Sequence, residues 1–431
     1  MKMRAKLKTT RGNAFVAFSL LLSTVGCENF LTVDAPGEII ASTLEEPRYA
    51  SLLALSTVSK FECAFGAYIM TAGALGDELI ISGTGSSQYP MDQRTLTDRA
   101  PYGTGSGCGP YSLYVPVSTA RWMADDLIKK IQGEWAAENI LNRQETIGTL
   151  SAVSGYSLTL LGEGMCSAAI DLGPEMTPKL LFEEAVKRFD AALAAGPSAS
   201  IMNLARVGKG RALLNLGDRT AAANAVRAVP AGFVYSTTHS NAVPRRRNPV
   251  YYDISVSRNP VVDGRFYSGL TFAGVADPRV RVTNPGNLRA SDNLVPRWEQ
   301  LKYLAVTSPL PVARYTEAQL IIAEAEGGQT AVNIINALHT AAGLPAFNPA
   351  VHGTTTGPFG ADVIRNQIVE ERRRELFLES HHLGDLRRYN LPLRPASGQV
   401  YPWTGGGFYG NARCFPAPFS ETSANPNFAK K

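Results

Sequence analysis

The sequence predicts a mostly α protein, a scaffold of paired helices interrupted by long loop-rich insertions that carry short strands. Two observations predict it. Apolar residues recur three and four places apart in five stretches, at about 42–62, 119–132, 180–229, 313–342 and 362–390, which is the spacing of one buried helix face. The stretches between them, about 83–118, 230–311 and 391–425, are rich in Gly, Pro, Ser and Asn; they read as long loops, where binding residues tend to sit. The chain is 45% hydrophobic over 431 residues, enough apolar side chain for a large core.

Taken in order, the first helix is expected over residues 42–61, where Leu52, Leu53, Leu55 and Val58 recur at helical spacing. A second covers 119–132 through Ala120, Ala124, Leu127, Ile128 and Ile131. Leu181, Phe182, Ala185, Val186, Phe189, Ala192 and Leu193 then form an amphipathic stripe that Gly196-Pro197 stops. Residues 203–216 repeat the pattern with Ala205, Gly208 and Ala212 facing inward. Gly217-Asp218 turns the chain, and 220–229 forms a partner helix halted by Pro230. Helix, tight turn and helix with small residues at the crossing is similar to the tetratricopeptide unit. Further helices of this kind are expected over 313–326 and 330–342, so these segments should stack into one right-handed helical scaffold. Trp122 and Trp135 lie in or beside helices and read as core. Residues 230–311, with Val250-Tyr251-Tyr252 and Phe266-Tyr267 among many turn formers, read as loops with short strands.

The N-terminus has a separate logic. Lys2, Arg4, Lys6, Lys8 and Arg11 lead into an apolar run from Ala14 to Val25 that is too short to span a bilayer, the pattern of a secretory signal peptide. The run ends Leu22-Ser23-Thr24-Val25-Gly26-Cys27, which resembles the lipobox of bacterial lipoproteins. That resemblance implies removal of 1–26 and acylation of Cys27 on its thiol and its new amino group, and two or more chains anchor stably to a membrane. The five leader cations account for the whole formal net charge of +5, so the remaining chain, 27–431 and read as one domain, is near neutral. Nucleic acid is therefore not an expected partner, and Arg245-Arg246-Arg247 reads as a solvated loop.

Four further cysteines remain, Cys63, Cys108, Cys166 and Cys414. An exported chain meets an oxidising compartment, so two disulfides are expected. Three pairings are open; Cys63 with Cys108 is favoured because both lie in neighbouring N-terminal segments, which leaves Cys166 with Cys414. No Cys or His spacing supports a metal site. His381 and His382 are adjacent and would point about 100° apart on a helix, while His239, His339 and His352 are distant in sequence. Neither a metal nor a cofactor is expected.

The C-terminal quarter holds "IVEERRRELFLESHHLGDLRRYNLPL", Ile368 to Leu393. Glu371 and Glu375 lie a turn apart, Arg372 can pair with acids at helical spacing, and Asp385, Arg387 and Arg388 follow Gly384, expected as a break where the chain reverses. The reading is a structural ion-pair network. Glycoside hydrolysis needs two carboxyls about 5–10 Å apart across a cleft, which neighbours on one arginine-laden helix do not offer. The signatures G-x-S-x-G, H-E-x-x-H and the P-loop are absent too.

In order along the chain, the lipobox with "CENFL", "DPRV", "RYTEAQLIIAEAE", "EERRREL…E…GDLRRY" and "CFPAPFSETSANPNF" resemble the SusD/RagB family of outer-membrane nutrient-binding lipoproteins over essentially the full length. The sequence departs from that pattern at Ser380, where glycine is common, and at His382 and Leu383, where arginine and an aromatic are frequent. The resemblance implies a SusD-like fold and a lipid-anchored protein exposed at the cell outer membrane. It implies no enzyme but capture of a nutrient, most often an oligosaccharide and otherwise a peptide, for a SusC-like TonB-dependent transporter. Sugars present C–H faces that stack on aromatic rings, so the loop aromatics Tyr89, Tyr102, Trp298, Trp403 and Tyr409 are the ligand candidates. Two other readings are a tetratricopeptide-type protein-interaction scaffold and a surface glycosidase.

Overall fold

The structure, a computed structural model, describes residues 45–428. The expected signal peptide, Cys27 and the start of the first expected helix lie outside these residues. From Pro47 onward the chain forms one compact unit.

Ten helices of seven residues or more carry the described fold: α1 (Ala50–Leu75), α2 (Tyr114–Lys129), α3 (Arg143–Gly164), α4 (Pro178–Ala194), α5 (Ala199–Leu216), α6 (Arg219–Val226), α7 (Tyr315–Glu326), α8 (Gly328–Ala342), α9 (Val363–Glu375) and α10 (His382–Arg388). Each packs on its neighbour in turn: α1 on α2 and α3, α2 on α3, α3 on α4, α4 on α5, α5 on α6, α6 on α7, and α7 on α8 and α9, while α10 sits against α1 and α3. This is the mostly α, helix-pair arrangement the apolar spacing predicts.

The helix ends follow local chemistry. Pro178 occupies the first turn of α4 and the Thr177 hydroxyl accepts from Leu180 N. α5 stops where Gly217 takes φ +83°, and Asp218 immediately caps α6 by accepting from Ala221 N at 3.0 Å. Asp362 caps α9 in the same way through Arg365 N.

Two elements differ from expectation. The first helix does not stop at Phe61 but runs to Leu75, and every residue from Ala64 to Leu75 is buried; a helix enclosed on all sides has no polar face to mark its period. By length and hydropathy α1 with its preceding turn could cross a membrane, yet 56% of its 18-residue apolar window is enclosed by the protein itself, as in a core helix.

The second difference is α3, which sequence periodicity does not reveal at all. Its glycines at seven-residue intervals, Gly148, Gly155 and Gly162, form a groove that receives Pro197, Phe189 and Phe182 in reverse order. A β-carbon on these glycines would lie 2.5, 2.8 and 2.6 Å from those three side chains. The Phe189 ring is also covered by Gly208 of α5 and meets Tyr156 edge-on at 5.2 Å. The inward-facing Ala205, Gly208 and Ala212 are buried as expected. Trp122 instead faces solvent, 52% exposed, while Trp135 packs half-buried on the core.

Among the described residues eight short strands, in or at the edges of the loop-rich stretches, pair antiparallel as four two-stranded sheets. β1 (Leu79–Ile80) joins β3 (Val261–Val262), β2 (Val234–Ser236) joins β8 (Pro311–Arg314), β4 (Thr271–Phe272) joins β5 (Val275–Ala276), and β6 (Val282–Thr283) joins β7 (Glu299–Gln300). The helix expected from Ala313 therefore begins only at Tyr315, because Ala313 and Arg314 complete β8.

Gly384 is not a break: it lies inside α10, where a β-carbon would come within 2.8 Å of the Glu163 carboxyl carbon on α3. Close helix approach explains the glycine. The chain reverses earlier, between α9 and α10, where Leu378 and Ser380 hold positive φ of 53° and 71°, a region that favours glycine. Backbone pins hold it there: Leu378 N donates to Glu78 Oε1 at 3.1 Å, and Arg211 Nη2 donates to Ser380 O at 2.8 Å. Both expected disulfides are formed, Cys63–Cys108 and Cys166–Cys414.

Candidate ligand-binding site

The loop aromatics fall into two groups. Tyr102 is fully enclosed: its ring meets Phe415 at 4.8 Å and its hydroxyl donates to Pro416 O at 2.8 Å. It pins the C-terminal segment to the core and offers no ring face to a ligand, contrary to its expected exposure. The other four are linked to one another through the C-terminal excursion and the Gly264-Arg265 segment.

Trp403 and Tyr409 sit on a tight excursion of the C-terminal chain closed by Tyr401 N to Gly407 O and Tyr409 N to Gln399 O. Gly405, Gly406 and Gly407 all take positive φ there, which only glycine does freely. Gly405 lies directly on the Tyr89 ring, whose centroid is 6.5 Å from that of Tyr401; Tyr401 in turn meets Tyr409 edge-on at 5.1 Å. Arg265 lies over the Trp403 ring at 5.6 Å and donates to the Tyr409 hydroxyl at 3.2 Å. Trp298 covers Gly264, the residue beside Arg265, whose β-carbon position the indole would occupy. Four chain segments far apart in sequence thus supply one cluster.

Exposure separates ligand candidates from supports. Tyr89, Trp298 and Trp403 are half-buried, and the Arg265 side chain is 35% exposed. Tyr409 is buried beneath them, with Arg94 over its ring at 4.9 Å. The Trp403 indole packs on Ile80, Val261, Ala290 and Val295, and its N–H finds no acceptor among the described residues.

The charged groups here are matched internally. Asp263 holds Arg265 through two bonds of 2.9 and 2.6 Å. Asp92 lies buried and accepts the Tyr401 hydroxyl on both oxygens at 3.0 Å; burial pushes its carboxyl well above the usual range, and the Tyr401 bond only partly opposes that. Sequence reasoning missed Tyr401, Asp92, Arg94, Asp263 and Arg265. Tyr401 shares the glycine-rich run of Trp403 and was findable on that ground; Asp263 and Arg265 pair locally two residues apart, whereas the contacts of Asp92 with Tyr401 and of Arg94 and Arg265 with Tyr409 span distant segments that no local spacing encodes.

The C-terminal ion-pair motif is built across elements rather than along one helix. Arg372 does not bridge acids on α9; it binds Asp385 of α10 through two bonds of 2.8 and 2.9 Å. Glu371 receives Arg279 at 2.5 Å and His339 Nε2 at 2.8 Å, and Glu375 receives Arg314 at 2.6 Å, with Arg279 Nη1 3.5 Å away. Arg388 binds Asp385 at 2.6 Å. Arg387 makes no ion pair among the described residues; its Nη1 donates to the carbonyls of Gly162, Glu163 and Met165 at the end of α3. Burial raises the Asp385 carboxyl, but Arg372 and Arg388 outweigh it and hold the group well below the carboxylate range. Glu371 and Glu375 therefore share guanidinium partners and form no acid pair facing a cleft. His381 lies 2.9 Å from Glu317 and His382 3.1 Å from Asp77, each histidine turned to a different carboxylate; among the described residues no cluster of three or more ligand-type side chains is placed to hold a metal.

Residues 287–428 match the SusD family model, which covers Trp298, the ion-pair motif, Trp403, Tyr409 and Cys414. No curated protein matches the chain. Among solved structures, a SusD homolog from Bacteroides thetaiotaomicron VPI-5482 is similar with a TM-score of 0.64 at 14% identity, over 90% of this chain and 97% of that one. A laminarin-binding SusD-like protein is similar with a TM-score of 0.61 at 14% identity, over 89% and 98%. A SusD-like carbohydrate-binding protein from Bacteroides vulgatus ATCC 8482 gives a TM-score of 0.59 at 15% identity, over 89% and 98%. The Asp277–Arg279 turn of "DPRV", just before the matched residues, closes on Glu371 of "EERRREL" within them, so the two motifs are contacts of one network. The chain matches the SusD family in sequence over residues 287–428 and is similar to SusD-like structures in fold over most of its length.

Proposed function

We propose that the protein captures a nutrient oligosaccharide at the outer membrane and passes it to a SusC-like TonB-dependent transporter, anchored through lipid on Cys27 and exposed at the cell surface. The observation that carries the reading is a set of half-buried rings joined through the C-terminal excursion: Trp403 beside the partly exposed Arg265, Trp298 on the adjoining Gly264, and Tyr89 against Gly405. Half-buried rings held rigidly by glycine contacts present flat apolar faces at low entropic cost, and a guanidinium beside them supplies donors for hydroxyl edges. The laminarin-binding and carbohydrate-binding neighbours support the same ligand class. Binding rather than catalysis fits the acids, since Asp92 and Asp263 are each engaged by Tyr401 and Arg265.

Titration calorimetry of the purified protein against a panel of oligosaccharides that includes laminarin fragments tests the ligand. Tyr89→Leu and Trp403→Leu, checked for an unchanged melting temperature, should each weaken binding about tenfold, the equivalent of about 1.4 kcal/mol. Binding of peptides in place of every glycan would make the cluster a peptide site. Membrane fractionation of Cys27→Ala and a mild-detergent pull-down test the anchor and the transporter. Absence of a co-purifying β-barrel would favour the interaction-scaffold reading instead.

A further inference from the structure

A second site lies on different elements. A cavity of about 440 Å³ opens where the end of α3, the start of α4, the α5–α6 turn, α7, α9 and α10 meet, and its charged lining is Glu163, Glu324, Arg219, Arg365, Arg387 and Arg388. Both carboxylates are already engaged. Glu163 is gripped by Arg211 through bonds of 2.8 and 2.5 Å and also accepts from Asn215. Glu324 accepts from Arg388 and from the Tyr389 hydroxyl, and Arg388 also holds Asp385.

Three guanidinium groups are left over. Arg387 uses Nη1 on the three carbonyls that end α3, but its Nε and Nη2 have no acceptor among the described residues. Arg365 lies over the Phe359 ring at 3.8 Å and has no carboxylate within ion-pair reach among the described residues. Arg219 opens α6, exposed, and likewise has no acidic partner among them.

Capping the end of α3 accounts for one nitrogen of Arg387, because carbonyls at a helix C-terminus favour a cation. It does not account for the remaining donors, nor for two more unpaired arginines on the same cavity. Burial lowers the Arg387 proton affinity, since no carboxylate close by compensates its charge fully. Arg387, partly enclosed and without an ion pair among the described residues, gains most from an anion that accepts its fork-shaped donors, and Arg365 and the exposed Arg219 face the same recess.

We propose that this cavity binds a small oxyanion, a carboxylate or a phosphate, held by Arg387, Arg365 and Arg219. It is independent of the aromatic cluster and of the sugar-binding reading. Occupied, it would tie the end of α3 to α6, α9 and α10 through a single bound group.

Thermal unfolding and titration calorimetry in sodium phosphate and in sodium succinate, each against sodium chloride at equal ionic strength and pH, read the site directly. The expected result is a saturable rise in melting temperature with at least one of the two anions beyond that in chloride; which anion acts identifies the chemistry. Arg365→Gln and Arg219→Gln, both outside the α3 cap, should each weaken that binding about tenfold. Arg387→Gln should abolish it, and Arg245→Gln elsewhere on the surface should leave it unchanged. A response equal to that in chloride, or one that survives both Arg365→Gln and Arg219→Gln, overturns the proposal.

Discussion

Replacing Gly155 by alanine tests how the central helix is packed. In α3, a methyl at this position would stand 2.8, 2.9 and 2.9 Å from three carbons of the Phe189 ring. Carbon pairs settle at about 3.5–4.0 Å, so ring or helix must give by about 0.6 Å or more. Overpacking of this size costs about 1–3 kcal/mol. Against it stands the helix preference of alanine over glycine, about 1 kcal/mol. The expected net loss is about 1 kcal/mol in the natural background. In a Phe189→Leu background the methyl finds room and only the propensity remains, so the same change should stabilise by up to about 1 kcal/mol, a coupling of about 2 kcal/mol. Gly133→Ala, with nothing within 4 Å of its β-carbon, is the control without steric cost. Urea midpoints at constant slope, with disulfides intact, give the four corners of the cycle. Equal effects of Gly155→Ala in both backgrounds would refute the groove.

Three further outcomes follow from named contacts. Asp253 is buried and its carboxyl is pushed by desolvation up to about 7; the unfolded group titrates near 4, so this site withdraws stability as pH rises from about 4 to 7 and keeps it withdrawn above. Asp253→Asn should therefore leave the melting temperature unchanged at pH 4 and raise stability at pH 8, by up to about 4 kcal/mol; an equal effect at both values would contradict the assignment. Arg279→Met removes one guanidinium from buried Asp277 and Glu371, which keep Arg374 at 3.1 Å and His339 at 2.8 Å, and denaturant unfolding should show a loss of about 3 kcal/mol, the low end for a broken buried pair. Removing the Cys166–Cys414 bridge, which joins positions 248 residues apart, should cost about 2–5 kcal/mol, read as a fall in the urea midpoint of the double serine variant.

How much of this was legible in the sequence depends on whether an element has two unlike faces. α4 and α8 alternate apolar and polar residues around the helix and were read within a few positions of their ends. α3 was invisible because its enclosed residues include Ser151, Ser154, Ser157 and Thr159, side chains that look solvent-bound until one sees Ser157 and Thr159 donating back to carbonyls of their own helix. Its glycine heptad was the available signal. At the candidate site, rings were legible because aromatics in glycine-rich loops are few. Tyr102 was misread because burial is decided by what the C-terminal segment lays over it. The place of Arg265 at the site could be seen only once Tyr409, 144 residues away, was in place beside it.

The bond between Cys166 and Cys414 makes the chain between them a closed loop of covalent links, containing α4 through α10 and the sheets formed by β2, β4, β5, β6, β7 and β8. A single proteolytic cut inside it, for example after the exposed Arg289, turns the ring into a line without separating a fragment. Both ends of the cut stay attached to the rest of the molecule, so damage at one loop is survivable as long as packing holds the new ends. Two cuts, or one cut together with reduction, are needed before a piece can leave.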